Sequence, residues 1–391
     1  MHHPNQLILD LDKAEIETQL IAWGEPRYRA GQIWQGIYQQ LWRSPDEFTT
    51  LPADVRKRLF EEFSFGRLHS TEVMESSDRQ TIKTLFKLES QTTSTGGPLA
   101  IEAVLMRYDR RRTLCISTQA GCAMGCVFCA TGQMGFKRNL TSGEIIDQVL
   151  YYARLLKTQN ETVNNIVIMG MGEPFHNYDA TMAAIDRLNQ VDGFNFGARR
   201  FTVSTVGLVP AIYKFSQERR QVNLAVSLHA ADDALRTSLL PINRKYPLDT
   251  LMAACLEYVH MTHRRISFEW ALIRDVNDSP VQAKMLVERL RPFIQGRLPG
   301  RGTAMCHVNV IPLNPTLQYS GEATTRQRAQ EFKDILEQSG IPCTIRVRRG
   351  IDIRAGCGQL AIADAHQSGG EHVKPGNQAH LSPIIIERAD N

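Results

Sequence analysis

The amino-acid sequence predicts an α/β protein: a partial (βα)6, TIM-like barrel, preceded by a small N-terminal helical domain and a connecting β-hairpin. With 391 residues, the chain is long enough for two or three domains of about 150 residues. From Thr113 onward, short runs of β-forming residues alternate with amphipathic helical stretches, which is typical of a largely parallel sheet. Six such units are too few for a closed eight-stranded barrel, so we expect an open one.

The first domain, residues 1–66, is predicted to be helical. Apolar side chains recur there at intervals of three and four residues, as at Ile33, Ile37 and Leu41. The next segment, residues 67–108, changes to two β-type runs separated by a polar stretch that contains glycine, which predicts a β-hairpin connector. The two runs span residues 81–88 and 100–106.

The core of the protein is predicted to span residues 109–360. The strand candidates are residues 113–117, 165–169, 200–204, 222–227, 266–272, 307–311 and, as a seventh, 344–347. The helix candidates are residues 142–156, 178–189, 248–261, 280–290 and 325–338. The remaining residues, 361–391, are predicted to form a flexible tail that contains Gly369, Gly370 and Pro375.

Composition and charge narrow the class of protein. The net charge of +4 and the hydrophobic content of 42% are those of an ordinary folded protein, and they exclude a disordered chain. No apolar run approaches the ~18 residues that cross a bilayer, and the N-terminus lacks the order of a signal peptide. We therefore expect a cytoplasmic protein with no membrane partner. Eight cysteines are too few for a disulfide scaffold, so a tight cluster of them indicates metal or redox chemistry.

Several polar or glycine-rich segments come directly after predicted strands. They are residues 121–129, 170–174, 204–207, 227–230 and 312–315. Loops that follow parallel strands converge over the carboxyl ends of those strands, where ligand sites are built. The sequence therefore predicts a single site at this edge of the sheet.

Three cysteines form a C-x3-C-x2-C pattern, Cys122, Cys126 and Cys129, on the loop after the first core strand. Three thiolates can hold a 4Fe-4S cluster and leave one iron open for a substrate, whereas a structural zinc ion takes four protein ligands. We therefore favour an open 4Fe-4S cluster. The alternatives are zinc with a distant fourth ligand such as Cys115 or His229, or three buried thiols without a metal.

This loop resembles those of a known family. The spacing of the cysteines, with Phe128 before the third, is similar to the cluster loop of the radical S-adenosylmethionine (SAM) enzymes. Residues 121–132 and 135–141 are similar to the RlmN/Cfr family of RNA adenine methyltransferases, and the similarity continues through most of residues 100–360. Further family-like segments follow in family order: Gly172-Glu173-Pro174, Ser204-Thr205-Val206-Gly207, Ser227-Leu228-His229-Ala230, Pro241-Ile242-Asn243, Pro312-Leu313-Asn314-Pro315 and Cys357-Gly358-Gln359-Leu360. Residues 136–140 and 172–174 favour the RlmN type over the Cfr type.

The resemblance implies a radical SAM barrel, two cofactors and a reaction. A 4Fe-4S cluster would be held by the three clustered cysteines, with SAM on the open iron. The positions that match the family's SAM contacts are Gly172, Glu173, Ser204, Ser227, Leu228, His229 and Asn314. The implied reaction is methylation of carbon 2 of adenosine 2503 in 23S rRNA and of adenosine 37 in tRNA, with two SAM used per methyl group.

Three further residues match the family's catalytic positions. By resemblance, Cys357 carries the methyl group as S-methylcysteine, Cys115 closes a transient disulfide with it, and Glu102 is the proton acceptor. Glu102 stands in an apolar run, and a carboxylate buried in this way suits that role. One departure is Gly356, where the family usually has alanine.

The resemblance also implies partners: 23S rRNA, tRNA, and a reductase such as flavodoxin or ferredoxin, acting on a monomeric enzyme. Several of the basic clusters are expected near the loop edge, where they would neutralise RNA phosphates. The clusters are Arg110–Arg112, Lys137-Arg138, Arg199-Arg200, Arg244-Lys245, Arg264-Arg265 and Arg346–Arg349. Chemistry at an adenine ring requires an unstacked base, so a loop or bulge of the RNA is the expected target. Two alternatives stay open: a Cfr-type carbon 8 methyltransferase, and a non-catalytic metal-containing RNA-binding protein.

Overall fold

The computed structural model describes residues 6–92, 98–295, 304–316 and 318–360. The predicted tail, residues 361–391, lies outside the described residues. The first part of the chain is helical, as predicted, and the two short strands at its ends pair in parallel. Its elements are β1 (Gln6–Leu7), α1 (Lys13–Ala22), α2 (Tyr28–Gln35), α3 (Ala53–Glu62) and β2 (Phe63–Ser64). Asp12 caps α1 in a capping box with Glu15, and Trp34 and Phe48 are fully buried between the helices.

The connector contains one strand more than the predicted hairpin. The strands β3 (Leu68–Glu75), β4 (Thr81–Thr92) and β5 (Pro98–Tyr108) pair antiparallel in that order, and β5 also pairs antiparallel with β6 (Arg111–Cys115). The sequence pattern does not predict β3 because this strand lies at the sheet edge, where most of its side chains are exposed and apolar alternation is absent.

After β6 the chain alternates between strands and helices, as predicted. The elements are β7 (Gln119–Gly121), α4 (Ala130–Gln133), β8 (Phe136–Asn139), α5 (Ser142–Lys157), β9 (Asn165–Ile168), α6 (Tyr178–Asn189), β10 (Phe201–Thr205), α7 (Val209–Gln217), β11 (Asn223–Ser227), α8 (Asp233–Leu239), α9 (Leu248–Thr262), β12 (Ile266–Leu272), α10 (Pro280–Gln295), β13 (Cys306–Pro312), α11 (Arg326–Gln338) and β14 (Cys343–Ile345). The short helices α7 and α8 were not predicted, because nine and seven residues carry too little periodicity.

Ten strands form one sheet, in the order β14-β13-β12-β11-β10-β9-β6-β5-β4-β3, and β7 and β8 form a separate antiparallel pair. Neighbours from β6 to β14 are parallel. Because β14 and β3 are edges that do not pair with each other, the barrel is open, which confirms the predicted partial (βα)6 class. No helix in the described parts of the chain has the length and apolar content needed to span a membrane.

The two faces of β12 show how the sheet separates core from site. Phe268 packs edge-on against Phe293 of α10, and Trp270 packs against Phe332 of α11, with ring centroids 5.4 and 5.5 Å apart. Side chains alternate along a strand, so Ser267 and Glu269 face the barrel interior. The outer face of the sheet is therefore the hydrophobic core, and the inner face is polar.

Candidate active site

The predicted cysteine loop lies between β6 and α5, at the carboxyl edge of the sheet. Gly121 makes its path possible: its φ is +72°, and a Cβ there would lie 1.9 Å from the carbonyl oxygen of Gly135. This close approach lets the Cys122 amide donate to the same oxygen at 3.1 Å and pairs β7 with β8. The loop then carries Cys126 inward and ends at Cys129, immediately before α4.

Two of the three thiols of this loop, those of Cys122 and Cys126, are buried, and that of Cys129 is half-buried. Burial raises the pKa of Cys122 to about 12 and that of Cys126 well above its ordinary value, and a charge on Cys129 adds to both increases. In the described residues, no three Cys, His, Asp or Glu side chains converge as ligands of a single metal ion. A 4Fe-4S cluster does not require such convergence, because each cysteine ligates a different iron. Thiols are soft donors, and a nearby cation favours their ionisation when they are buried. The cysteines of this loop therefore fit a 4Fe-4S cluster.

A second loop, after β9, packs against the cysteine loop. Gly172 has a φ of +101°, and a Cβ there would lie 2.5 Å from the Cβ of Gln119, so only glycine allows this approach. The amide of Glu173 donates to the Gln119 side-chain oxygen at 2.8 Å. The Glu173 carboxylate accepts from the amides of Phe175 at 3.0 Å and Val206 at 2.9 Å. Burial raises its pKa to about 7.

His229 follows β11 and faces the cysteine loop. Its φ is +59°, its ring meets that of Phe128 edge-on at 4.9 Å, and its Nδ1 accepts from the Ala271 amide at 2.8 Å. Nε2 therefore carries the proton in the neutral ring. Burial, with the Arg236 charge, lowers the pKa to about 3, so the imidazole is uncharged at neutral pH.

The loop that carries Cys357 is docked on the cysteine loop. The Ala130 amide donates to the carbonyl oxygen of Gly358 at 2.8 Å, and the Thr131 hydroxyl donates to that of Leu360 at 2.6 Å. On its other side, the buried amide of Asn314 donates to the carbonyl oxygen of Cys357 at 3.0 Å. Two of these hydrogen bonds hold the Cys357 loop beside a segment more than 220 residues earlier in the chain, and the third, from Asn314, supports it from the other side.

The thiols of Cys357 and Cys115 lie close enough for a charge on Cys357 to raise the pKa of Cys115. The Cys357 thiol is exposed to the site, yet the protein around it desolvates it enough to raise its pKa to about 11, and charges on Cys129 and Glu269 add to this. Burial raises the pKa of Cys115 to about 12, with a further increase from a charge on Cys357. All eight cysteines are free thiols.

Gly356, the departure from the family pattern, gives room to this docking. A Cβ there would lie 2.7 Å from the Asn314 amide nitrogen and 2.7 Å from the side-chain oxygen of Gln359. Gln359 in turn accepts from the Gly356 amide at 3.1 Å and donates to the Pro315 carbonyl at 3.0 Å. Glycine thus lets two amide side chains approach the backbone of the Cys357 loop.

Glu102 lies on β5, buried beside the site loops. Its carboxylate forms an ion pair with the equally buried Lys83 of β4, with Nζ and Oε1 2.9 Å apart. Its carbonyl accepts from the Ser117 hydroxyl at 2.6 Å, and its amide lies 3.3 Å from the Met171 sulfur. These contacts connect the antiparallel strands to the loops that follow β6 and β9.

The remaining predicted residues lie at the same edge. Ser204 is on β10, Ser227 ends β11 with Leu228 buried directly after it, and Asn314 follows β13. The structure therefore gathers all the residues singled out from the sequence around the carboxyl ends of one sheet.

Comparison with known proteins agrees with this arrangement. Residues 116–285 match the model of the radical SAM superfamily, and residues 7–64 match the ribosomal RNA large subunit methyltransferase N-terminal domain. A probable dual-specificity RNA methyltransferase RlmN of Chloroflexus aurantiacus is 45% identical, over 92% of this chain and 94% of the relative. The dual-specificity RNA methyltransferase RlmN 1 of Myxococcus xanthus is also 45% identical, over 90% and 93%.

The chain belongs to the RlmN family of radical SAM RNA methyltransferases. A crystal structure of a radical SAM methyltransferase from Sphaerobacter thermophilus is 48% identical to it and superposes with a TM-score of 0.84, over 91% of this chain and 99% of that one.

Two charged residues of this RlmN-family chain were missed by reasoning from the sequence. Arg236 is fully buried, and its guanidinium donates to carbonyl oxygens of the loops after β10 and β11 and to Asn243. Lys83 is the buried partner of Glu102. A weak signal for Lys83 existed in its place within a predicted β-strand run, whereas Arg236 stands in a polar segment that resembles an exposed helix start.

The basic clusters of this family member lie at both edges of the sheet. Arg138 forms an ion pair with the buried Glu144 of the α5 capping box. Arg199, Arg264 and Arg265 line a cavity where β10 and β12 begin, so these two clusters are not among those beside the loops that follow the strands. Arg346 lines the same cavity but directly follows the end of β14.

Proposed function

We propose that this RlmN-family enzyme methylates carbon 2 of adenosine 2503 in 23S rRNA and of adenosine 37 in tRNA. The observation that carries the proposal is the docking of Cys357 against the cysteine loop, with Cys115 within electrostatic range. A thiol held at the cofactor edge, with a second thiol as its neighbour, is what a methyl-carrying cysteine and its disulfide partner need.

The residues assigned to the cofactors are those at the carboxyl edge. Cys122, Cys126 and Cys129 would ligate a 4Fe-4S cluster. SAM would be contacted by Gly172, Glu173, Ser204, Ser227, Leu228, His229 and Asn314. When bound and reduced, the cluster and SAM supply a 5′-deoxyadenosyl radical, which removes a hydrogen atom from a methyl group.

Cys357 takes part in both half-reactions. Its thiol, whose pKa burial raises to about 11, would lose a proton, and its sulfur would take the methyl group of a first SAM, with S-adenosylhomocysteine as the leaving group. With a second SAM bound, a hydrogen atom would be removed from that methyl group, and the resulting methylene carbon would bond to the adenine ring. Cys357 would then be linked covalently to the RNA.

Glu102 and Cys115 resolve this link. Glu102, held as a carboxylate by the Lys83 ammonium, accepts the proton lost from the adenine carbon. The unpaired electron left by the radical addition would pass to the oxidised cluster. The Cys115 thiol then loses its proton, its sulfur bonds to the Cys357 sulfur, and the bond from that sulfur to carbon breaks. The released carbon takes up a proton and becomes the methyl group of the base. Two electrons from a reductase such as flavodoxin or ferredoxin reopen the disulfide.

The helical N-terminal residues are proposed to grip the RNA. Tyr28 is 64% exposed, and the neighbouring Arg27 side chain is also exposed, so an aromatic face and a cation are available to nucleotides. We propose that the enzyme acts as a monomer in the cytoplasm, where its RNA substrates are, and without a membrane partner.

The test is mass spectrometry of RNA digested after anaerobic incubation with SAM, a reductant and unmodified 23S rRNA fragments or tRNA. The iron-reconstituted wild type and Cys343→Ala, which removes a buried thiol distant from the site, are expected to form 2-methyladenosine, and Cys357→Ala is expected to form none. Appearance of 8-methyladenosine would replace the proposal with a Cfr-type activity. An intact cluster with neither methylation nor 5′-deoxyadenosine would indicate a non-catalytic RNA-binding protein.

A further inference from the structure

A cavity of about 550 Å³ opens at the edge of the barrel opposite to the candidate active site. Most of its lining residues stand before or early in β10, β11 and β12, whereas the site loops follow the same strands. Its floor, with Glu269, Asn309 and Arg346, reaches into the barrel interior, where charges on Glu269 and Arg346 influence the pKa of Cys357. The volume is that of a small-molecule site, and the methylation chemistry described above does not use the arginines at its mouth.

Four arginines from three distant segments line this cavity: Arg199, Arg264, Arg265 and Arg346. Arg264 is held in place by hydrogen bonds to the side-chain oxygens of Gln221 at 3.0 Å and Asn223 at 2.6 Å. Among the described lining residues, the four guanidinium groups face a single carboxylate, that of Glu269. Cations gathered in this way repel each other, and a bound anion relieves the repulsion.

The floor of the cavity offers polar groups of a different kind. Glu269 is 5% exposed; its Oε1 accepts from the Asn309 amide at 2.8 Å, and within the described residues its Oε2 makes no hydrogen bond. A buried carboxylate oxygen without a donor is costly, so it marks a place for a hydroxyl or amine. Ser267 and Asn309 add further polar atoms to the lining.

The two ends of the cavity define the shape of its ligand. Arg265 directly precedes β12 and Glu269 lies on it, four residues further along, which corresponds to about 13 Å at ~3.3 Å per residue. None of the described lining residues is a Phe, Tyr, Trp, Leu, Ile or Val, so no apolar surface is provided for a nucleobase. Guanidinium groups at the mouth suit a phosphate, and carboxylate, amide and hydroxyl groups inside suit the hydroxyls of a sugar.

We propose that this cavity is a binding site for a small sugar phosphate, with the phosphate on the arginines and a hydroxyl on Glu269. The mouth of this site lies at the opposite edge from the methylation site, although its floor adjoins Cys357, and its occupancy does not require the cluster or RNA.

The test is calorimetric titration of the full-length protein with ribose 5-phosphate, inorganic phosphate and ribose at constant ionic strength. Ribose 5-phosphate is expected to bind at least tenfold more tightly than either fragment. Arg265→Gln and Glu269→Gln should each weaken binding about tenfold or more, since each removes a charge-assisted hydrogen bond. Arg326→Gln, which alters an exposed arginine at the start of α11 on the other edge, should bind as wild type.

Melting curves without ligand identify any variant that fails to fold, and for the wild type ribose 5-phosphate should raise the melting temperature on its own. Equal affinity for inorganic phosphate and ribose 5-phosphate would overturn the proposal, as would affinity unchanged in both cavity variants. No ribose 5-phosphate binding, combined with weaker RNA binding by Arg265→Gln, would also overturn it and assign the cavity to the RNA backbone. Each readout is binding, so failure of the methylation proposal leaves the result interpretable.

Discussion

Replacing Arg236 by methionine should destabilise the carboxyl edge of the barrel. The guanidinium donates to the carbonyl oxygens of Val206 at 2.8 Å and Leu228 at 3.1 Å, and to the side-chain oxygen of Asn243 at 2.8 Å. Methionine keeps the length of the side chain and removes every donor. Arg236→Met therefore leaves loops that follow two adjacent strands without their common hydrogen-bond donor.

The magnitude follows from two opposing terms. Each buried acceptor that loses its donor costs ~1–3 kcal/mol, so the loss of the three donor nitrogens costs roughly 6 kcal/mol; a fourth acceptor, the Ser227 carbonyl at 3.2 Å, shares Nη2 with Val206. The buried guanidinium is itself expensive: desolvation lowers its pKa from 12.5 to about 10, which corresponds to roughly 3 kcal/mol that methionine does not incur. The expected net loss in free energy of unfolding is about 3 kcal/mol, or a melting temperature lower by ~6–12 °C.

Scanning calorimetry and SAM titration of the anaerobic protein test this estimate. The matched control is Arg274→Met, because Arg274 forms a largely exposed ion pair with Glu322 and should lose ~0.5 kcal/mol or less. Arg236→Met is also expected to weaken SAM binding tenfold or more, because Arg236 donates to the backbone carbonyls of Ser227 and Leu228, two of the proposed SAM-contacting residues. A melting temperature equal to that of the control, with unchanged SAM affinity, would refute the reasoning.

Three further changes give separable outcomes. The pKa of histidine is about 6.5 in the unfolded chain and about 3 for His229 in the folded protein, so below pH 6.5 the unfolded chain binds more protons. The free energy of unfolding therefore decreases as the pH is lowered, by ~2 kcal/mol at pH 5. His229→Asn, which tolerates the positive φ, should lose less melting temperature than wild type between pH 7.5 and pH 5; an equal loss would contradict this assignment. Thr131→Val removes the hydroxyl that holds Leu360, so methylated RNA should form several-fold more slowly, whereas Thr131→Ser should retain the wild-type rate; equal rates for all three proteins would show that this contact does not position Cys357. Gly356→Ala should displace the Asn314 amide and lower the methylation rate ~2–10-fold in a single-turnover assay, with the cluster content unchanged; a wild-type rate would show that the loop adjusts without cost.

Much of the fold is encoded in local patterns. The bounds of β12, Ile266–Leu272, and α6, Tyr178–Asn189, agree with those predicted from the sequence, because apolar spacing reports which face of each element meets the core. The exposed edge strand β3 and the short helices α7 and α8 escaped prediction because they carry little such spacing.

The site shows the same division between local and long-range information. The C-x3-C-x2-C loop and the family segments are local in sequence, so the sequence by itself determined the family, the cysteine group and the edge at which it lies. Only the tertiary structure decided that Arg236 joins two loops, that Lys83 pairs with Glu102, and that four arginines line one cavity. A charged side chain obtains its partner from packing between segments far apart in the chain, and sequence spacing carries no information about that contact.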